Sequence, residues 1–149
     1  MTEDCLSCRL SEQPDAPVRE RILVRDGWRV AHNFDTSLPG WLVALPLRHV
    51  TRLSELEASE AGALGPLLHD VSAALEQVVG CGKTYVMLFA EQPGFAHVHF
   101  HVVPRMPDFA EGDLGPRVMR FLGTSAGERV RDEEMDRLAL SLRHALEPR

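Results

Sequence analysis

Three histidines stand at alternate positions in the run Phe95-Ala-His-Val-His-Phe-His-Val-Val-Pro-Arg105. Imidazole changes charge near neutral pH and serves as nucleophile, proton donor or metal ligand. Successive side chains of a β-strand point to opposite faces. A strand over His97–Val103 would bury Val98, Phe100 and Val102 on one face and line up His97, His99 and His101 on the other, with the imidazoles roughly 6.5–7 Å apart. Histidine seldom fills one whole face of a strand by accident, so the line reads as a constructed site rather than a His-rich surface. Putting all three on one metal ion is the weaker reading, because a straight strand spaces them poorly for one tetrahedral ion.

Other elements must hold this run in place. Glu20–Arg25 and Trp28–Phe34 read as two strands joined by an Asp26-Gly27 hairpin turn. Trp41–Pro46 is a third strand, entered through Leu38-Pro39-Gly40. From Leu53 the period turns helical, with Leu56, Ala61, Leu64, Leu67, Leu68, Val71, Leu75 and Val78 on the same pattern. Ser54 and Glu57 resemble a capping box, and Ser59 offers a second start. Pro66 lacks a backbone donor and crowds the carbonyl of Gly62, so a kink or break is expected there. Gly80-Cys81-Gly82 ends the helix. Thr84–Ala90 is a fourth strand and His97–Val103 a fifth. Pro107–Gly127 is rich in Gly and Pro and is expected to be irregular, and Asp132–Leu146 is a final helix with Met135, Leu138, Leu142 and Leu146 on one stripe. Strands, one long helix, then strands again predict an α+β fold with an antiparallel sheet. The exposed edges of a small sheet invite a second copy, so a homodimer is expected.

Composition narrows the function classes. The chain has 149 residues, enough for a single domain over 1–149. It is 44% hydrophobic and 26% charged, with a formal net charge of −6. That balance argues against a general binder of nucleic acid or anionic membrane, whose affinity comes from basic residues. The apolar stretch Trp41–Leu47 contains Pro46 and is too short to span a bilayer. Met-Thr-Glu-Asp-Cys offers neither a basic n-region nor an apolar h-region, and three cysteines make no disulfide framework. A cytoplasmic protein is the expectation.

At this point several segments match one known pattern. His-Val-His-Phe-His-Val-Val (97–103) resembles the His-φ-His-φ-His-φ-φ signature of the histidine triad (HIT) superfamily of nucleotide hydrolases and transferases. Cys5-Leu-Ser-Cys8 resembles the Cys-x-x-Cys of its bacterial members, in the zinc-containing branch of phosphoramidate and diadenosine-polyphosphate hydrolases. Leu38-Pro-Gly-Trp-Leu-Val-Ala-Leu-Pro-Leu-Arg-His49 resembles their Gly-His-x-Leu-Val-x-Pro-x-x-His segment, and Pro104-Arg105 the usual exit from the triad strand. The likeness runs from about Cys5 to Arg105, leaving 106–149 as a C-terminal extension with a helix.

The resemblance implies a five-stranded antiparallel sheet with one long helix, dimerising into a ten-stranded sheet. It implies a nucleotide over the triad strand, with His99 as nucleophile on the α-phosphorus and His101 donating to a phosphate oxygen. A nucleotidyl-histidine forms, and water then frees the mononucleotide; no catalytic metal is required. The substrate would be a purine nucleoside phosphoramidate or a dinucleoside polyphosphate. By the same resemblance Cys5, Cys8, His49 and His97 bind a structural zinc. Taken alone, the two cysteines also read as a redox pair, without the strand–helix context of one.

The chain departs from the pattern at three places. Trp41 stands where most members carry a histidine, and it can donate one hydrogen bond but accept none. Pro93 and Gly94 replace a polar Gln and Ser that hold phosphate, leaving the Gly94 N–H and the Gln92 side chain as substitutes. The ribose-binding acid falls nearest Asn33, with Asp35 as the chemical alternative. The expected nucleotide contacts are therefore Asn33, Asp35, Gln92, Gly94 and His101, with a base pocket around Val18, Ile22 and Phe34. His32, His69 and His144 are expected at the surface or its boundary, and Cys81 as an incidental thiol. Two other functions fit the same residues: a nucleotide-binding or regulatory module with little turnover, and a nucleotidyltransferase.

Overall fold

A computed structural model of the chain describes residues 4–148. Asp26 and Gly27 both take positive φ, 51° and 82°, as a two-residue turn with the right twist for a hairpin requires. They join β1 (Leu23–Arg25) to β2 (Trp28–His32), with Arg25 paired to Trp28. β3 (Leu42–Pro46), β4 (Lys83–Leu88) and β5 (Phe100–Arg105) complete an antiparallel sheet in the order β1-β2-β3-β5-β4. The fold is α+β, as expected.

Every strand differs from the sequence expectation at one end or both, and two of the differences have identifiable reasons. Val18–Glu20 forms a 3-10 turn instead of opening β1, and Arg29 Nη1 draws off the Glu20 carbonyl at 2.7 Å. The fifth strand begins at Phe100 rather than His97. Ahead of it, Val98 N–H donates to Val50 O at 2.8 Å, outside the five-strand ladder. His97 and His99 therefore stand on the approach to the strand, and of the three histidines only His101 lies within it.

α2 (Ala58–Val79) runs unbroken through Pro66, so of the expected kink or break the break does not occur. Gly62 and Pro66 both face solvent, where water can take up the carbonyl that proline leaves without a partner. The helix starts at Glu57, whose N–H donates to Glu60 Oε2 at 2.7 Å, while Leu53–Glu55 is a separate 3-10 turn. Arg48 decides this start by clamping the Glu60 carboxylate at 2.8–3.0 Å. Gly80, with φ 72°, closes the other end in the left-handed conformation.

The two faces of the sheet carry different loads. Trp28, Val30, Leu42, Ala44, Phe100 and Val102 point to one face, against Leu67, Val71 and Leu75 of α2 and Ala139 and Leu142 of α3 (Asp132–Leu146). Residues one position along, including Arg29, Ala31, Val43 and His101, point to the other face, as the period of two requires. There a second small core gathers Leu38, Trp41, Val103 and Val118. Val118 comes from Gly115–Phe121, which forms 3-10 turns instead of the expected irregular chain. The segment is sewn to the loop after β2: Ser37 N–H and Thr36 Oγ1–H both donate to Phe121 O, and Gly123 N–H to Asp35 O. Among the described residues, no helix is long and apolar enough to cross a membrane.

Candidate metal centre and nucleotide cleft

α1 (Leu6–Glu12) begins at Cys5, whose Sγ accepts the Cys8 N–H at 3.5 Å. One helical turn thus sets the two sulfurs side by side. His49, just past β3, brings Nδ1 to 3.4 Å from Cys8 Sγ. His97 brings Nδ1 to 3.6 Å from Cys5 Sγ and 3.5 Å from Cys8 Sγ. All four ligand atoms lie within 4.8 Å of one another. Tetrahedral zinc with ordinary Zn–S and Zn–N bonds separates sulfur from nitrogen by about 3.6 Å, so the cluster fits such an ion.

The protonation pattern fits as well. His97 donates from Nε2 to Pro46 O at 2.8 Å, which leaves the Nδ1 lone pair facing the sulfurs. Burial, and then the neighbouring Cys5, push the Cys8 thiol up to about 11. A cation bound among the four would reverse that penalty, because coordination deprotonates thiols. Cys5, Cys8, His49 and His97 can therefore hold a metal ion, and only one of the three alternating histidines belongs to the set.

His99 and His101 face the other way, into a cleft of about 480 Å³. Their rings meet edge to face with centroids 4.9 Å apart, closer than backbone spacing alone suggests. His99 donates from Nδ1 to the carbonyl of His97 at 2.8 Å, so its Nε2 keeps a free lone pair. His101 Nδ1 accepts from the Trp41 indole N–H at 3.0 Å. Burial, and then the charge of His99, lower the His101 pKa to about 4. Trp41 follows Gly40, whose φ of +90° strains any side chain and where a Cβ would press against Val79 and Pro104 at 3.3–3.4 Å.

The cleft collects Asn33, Phe34, Asp35 and Gln92 beside the two histidines. Gly94 is not on its wall. Asn33 Oδ1 already accepts the Asp35 N–H at 2.7 Å, while the Asp35 carboxylate pairs with Arg129 at 2.9 Å. The expected base pocket holds only in part: Phe34 lines the cleft, with Phe95 5.9 Å away, but Ile22 and Val18 pack into the core under α2 and α3.

His32 also differs from expectation. It is buried, not superficial, donating from Nδ1 to Asn33 O at 2.8 Å and accepting Gly40 N–H on Nε2 at 2.9 Å. Burial lowers its pKa to about 4. His69 and His144 are exposed beside Asp70 and Glu147. Cys81 is buried in the main core, which raises its pKa. Sequence reasoning missed Met119, Leu122 and Arg129, which form a cleft wall from beyond the triad strand. No local motif marks them. It also missed Arg29, buried beneath the cleft and tied to Ser11 Oγ, the Glu20 carbonyl and the Glu20 carboxylate.

Known proteins are similar to this chain in sequence or in fold. The chain is 31% identical over 106 residues, 66% of its length, to the asymmetrical bis(5'-nucleosyl)-tetraphosphatase of Schizosaccharomyces pombe, and spans 57% of that relative. A zinc-bound histidine triad family protein from Mycobacterium smegmatis superposes with a TM-score of 0.68 at 18% identity, over 98% of this chain and 95% of that one. A histidine triad nucleotide-binding protein from Sulfolobus tokodaii gives 0.72 at 14% identity, over 95% and 91%. The HIT domain model matches residues 18–108, from the turn before β1 to just past β5, and the chain belongs to the HIT family.

Proposed function

We propose that this chain is a nucleotide phosphohydrolase that cleaves at the α-phosphate through a nucleotidyl-His99 intermediate. The observation that carries this reading is the Nδ1–H of His99, held by the His97 carbonyl at 2.8 Å. It leaves Nε2 as an unprotonated nucleophile beside the cleft. His101, with its proton on Nε2, donates to a non-bridging oxygen as charge builds on the phosphorus, a contact worth on the order of 3 kcal/mol in such sites.

The nucleotide lies with its base against Phe34 and its ribose at Asp35. Asn33 Oδ1 is spent on the Asp35 N–H, so the Asp35 carboxylate is the acceptor left for sugar hydroxyls. Gln92 reaches the phosphates from the rim. The substrate class is a purine nucleoside phosphoramidate or a dinucleoside polyphosphate. Cys5, Cys8, His49 and His97 hold a structural zinc; with all four positions filled by protein, the ion takes no part in the chemistry. A second copy pairs along the free edge of β4, where Val86 is exposed.

The test is intact-protein mass spectrometry after brief mixing with adenosine 5'-phosphoramidate or a diadenosine polyphosphate. Wild type is expected to gain one acid-labile adenylyl group and release AMP, and His99→Ala to do neither. Nucleotide binding without adduct or AMP would replace this reading with a binding module.

A further inference from the structure

The second inference rests on the hydrolase reading and takes it to the leaving group. Trp41 is fully buried, and its indole N–H meets His101 Nδ1 at 3.0 Å with the two rings edge to face. An indole N–H has no lone pair and can only donate. His101 Nδ1 must therefore accept, and the single proton of the ring sits on Nε2. An imidazolium at His101 would set two N–H groups head to head in a buried site. Neutral imidazole hydrogen-bonds through Nε2–H without surrendering the proton, since that would leave an imidazolate.

Among the described residues, the surroundings offer no replacement acid. The residues registered across from His101 on β3 and β4 are Val43 and Met87. Among the described residues, the ionisable ring in contact is His99, whose proton is held by the His97 carbonyl. His32 spends both nitrogens on Asn33 and Gly40. The Glu20 and Asp35 carboxylates are committed to Arg29 and Arg129, and Glu91 sits exposed at the rim.

We propose that Trp41 is a positioning residue that holds His101 as a neutral hydrogen-bond donor, and that the cleft therefore serves substrates whose leaving group departs as a phosphate anion. In the first step the His99 Nε2 lone pair forms the bond to the α-phosphorus. The P–O bond to the departing chain breaks, its electron pair stays on that oxygen, and no proton is needed. Water then attacks the phosphorus, the P–N bond returns its pair to His99, and the proton of water goes to solvent. A phosphoramidate differs at one point. Its P–N electron pair must go to nitrogen, and an alkylamine leaves only after taking a proton that His101 does not supply. The low pKa of His101 agrees with this arrangement.

Two measurements test it together. The first is kcat/KM of wild type, Trp41→His and Trp41→Phe on diadenosine tetraphosphate and on an adenosine 5'-phosphoramidate with an alkylamine leaving group. Wild type is expected to favour the polyphosphate by about a hundredfold, the scale of general-acid catalysis, and Trp41→His to cut that preference about tenfold or more. The second is 15N NMR of the histidine rings without substrate, where His101 is expected as the Nε2–H form from pH 5 to 8 in wild type, with an Nδ1-protonated population appearing in Trp41→Phe. Equal turnover of both substrates by wild type overturns the leaving-group preference. An Nδ1–H His101 in wild type overturns the role of Trp41 whatever the rates. If neither substrate is cleaved, the hydrolase reading fails and takes the preference with it, while the NMR result still decides the lock.

Discussion

His97 and His99 are the same side chain two residues apart, yet the fold gives them opposite chemistry. His97 donates from Nε2 to Pro46 O, presenting Nδ1 to two cysteine sulfurs. His99 donates from Nδ1 to His97 O, presenting Nε2 to the cleft. In each case a backbone carbonyl takes one nitrogen and thereby assigns the other. On the proposed reading, which nitrogen the main chain occupies is what separates a metal ligand from a nucleophile.

That contrast breaks most sharply by substitution at the two sites. His99→Ala is expected to lower kcat by about a thousandfold or more, as loss of a nucleophile does, with metal content and Tm unchanged. His97→Ala should do the reverse at first, losing metal and stability before chemistry. If His99→Ala also emptied the metal centre, the two histidines would not be separate sites. Cys5→Ser with Cys8→Ser enlarges the other half of the contrast. Structural zinc contributes folding free energy directly, so the pair should cost several kcal/mol and about 10 °C or more in Tm. Elemental analysis and calorimetry check both, and an unchanged zinc content and Tm would remove the metal from the account.

A smaller effect is expected at a third histidine, buried between two backbone groups. His32 sits at a pKa of about 4 in the fold against an ordinary 6.5. A base with a lowered folded pKa favours the neutral form. Its contribution is complete above pH 6.5 and is lost as pH falls from there through 4, on the order of 3 kcal/mol in all. His32→Gln, whose carboxamide can take the Gly40 N–H without titrating, should therefore gain about 3 kcal/mol on wild type in stability as pH falls from 7 to 4. A gap that stays constant across that range would mean His32 is not being held neutral.

Local pattern and tertiary geometry divided what was legible. Alternation singled out His97, His99 and His101, though not that His97 turns to the cysteines ahead of a strand that starts at Phe100; the Asp26-Gly27 pair marked the hairpin and leucine spacing marked α2, because each signal is confined to a few neighbouring residues. The burial of His32 was not visible, since its partners Gly40 and Asn33 meet it through a loop that no periodicity encodes. The start of α2 was misplaced because Arg48, not a serine, organises Glu60. The far wall of the cleft was hidden for a similar reason. Phe121 bonds to Thr36 across 85 residues of sequence, and a Gly/Pro-rich segment advertises no such contact. The role of Trp41 was half legible: its donor-only chemistry was plain, while the acceptor at His101 needed coordinates.

The least effect is expected at that far wall, and it sharpens the contrast between holding structure and holding substrate. Arg129 pairs with Asp35 at 2.9 Å, with the two side chains 43% and 34% exposed. Solvent screening leaves such a pair worth about 0.5 kcal/mol, so Arg129→Ala should move Tm by no more than about 2 °C. Asp35 would nevertheless lose the group that aims its carboxylate into the cleft. One weakened hydrogen bond to the sugar is worth about 1 kcal/mol, or roughly fivefold in KM, with kcat unaltered because the ribose is remote from the bond that breaks. A fall in kcat at constant KM would place Arg129 at the reacting phosphate instead. A large fall in Tm would make the segment from 115 to 130 a structural brace first and a cleft wall second.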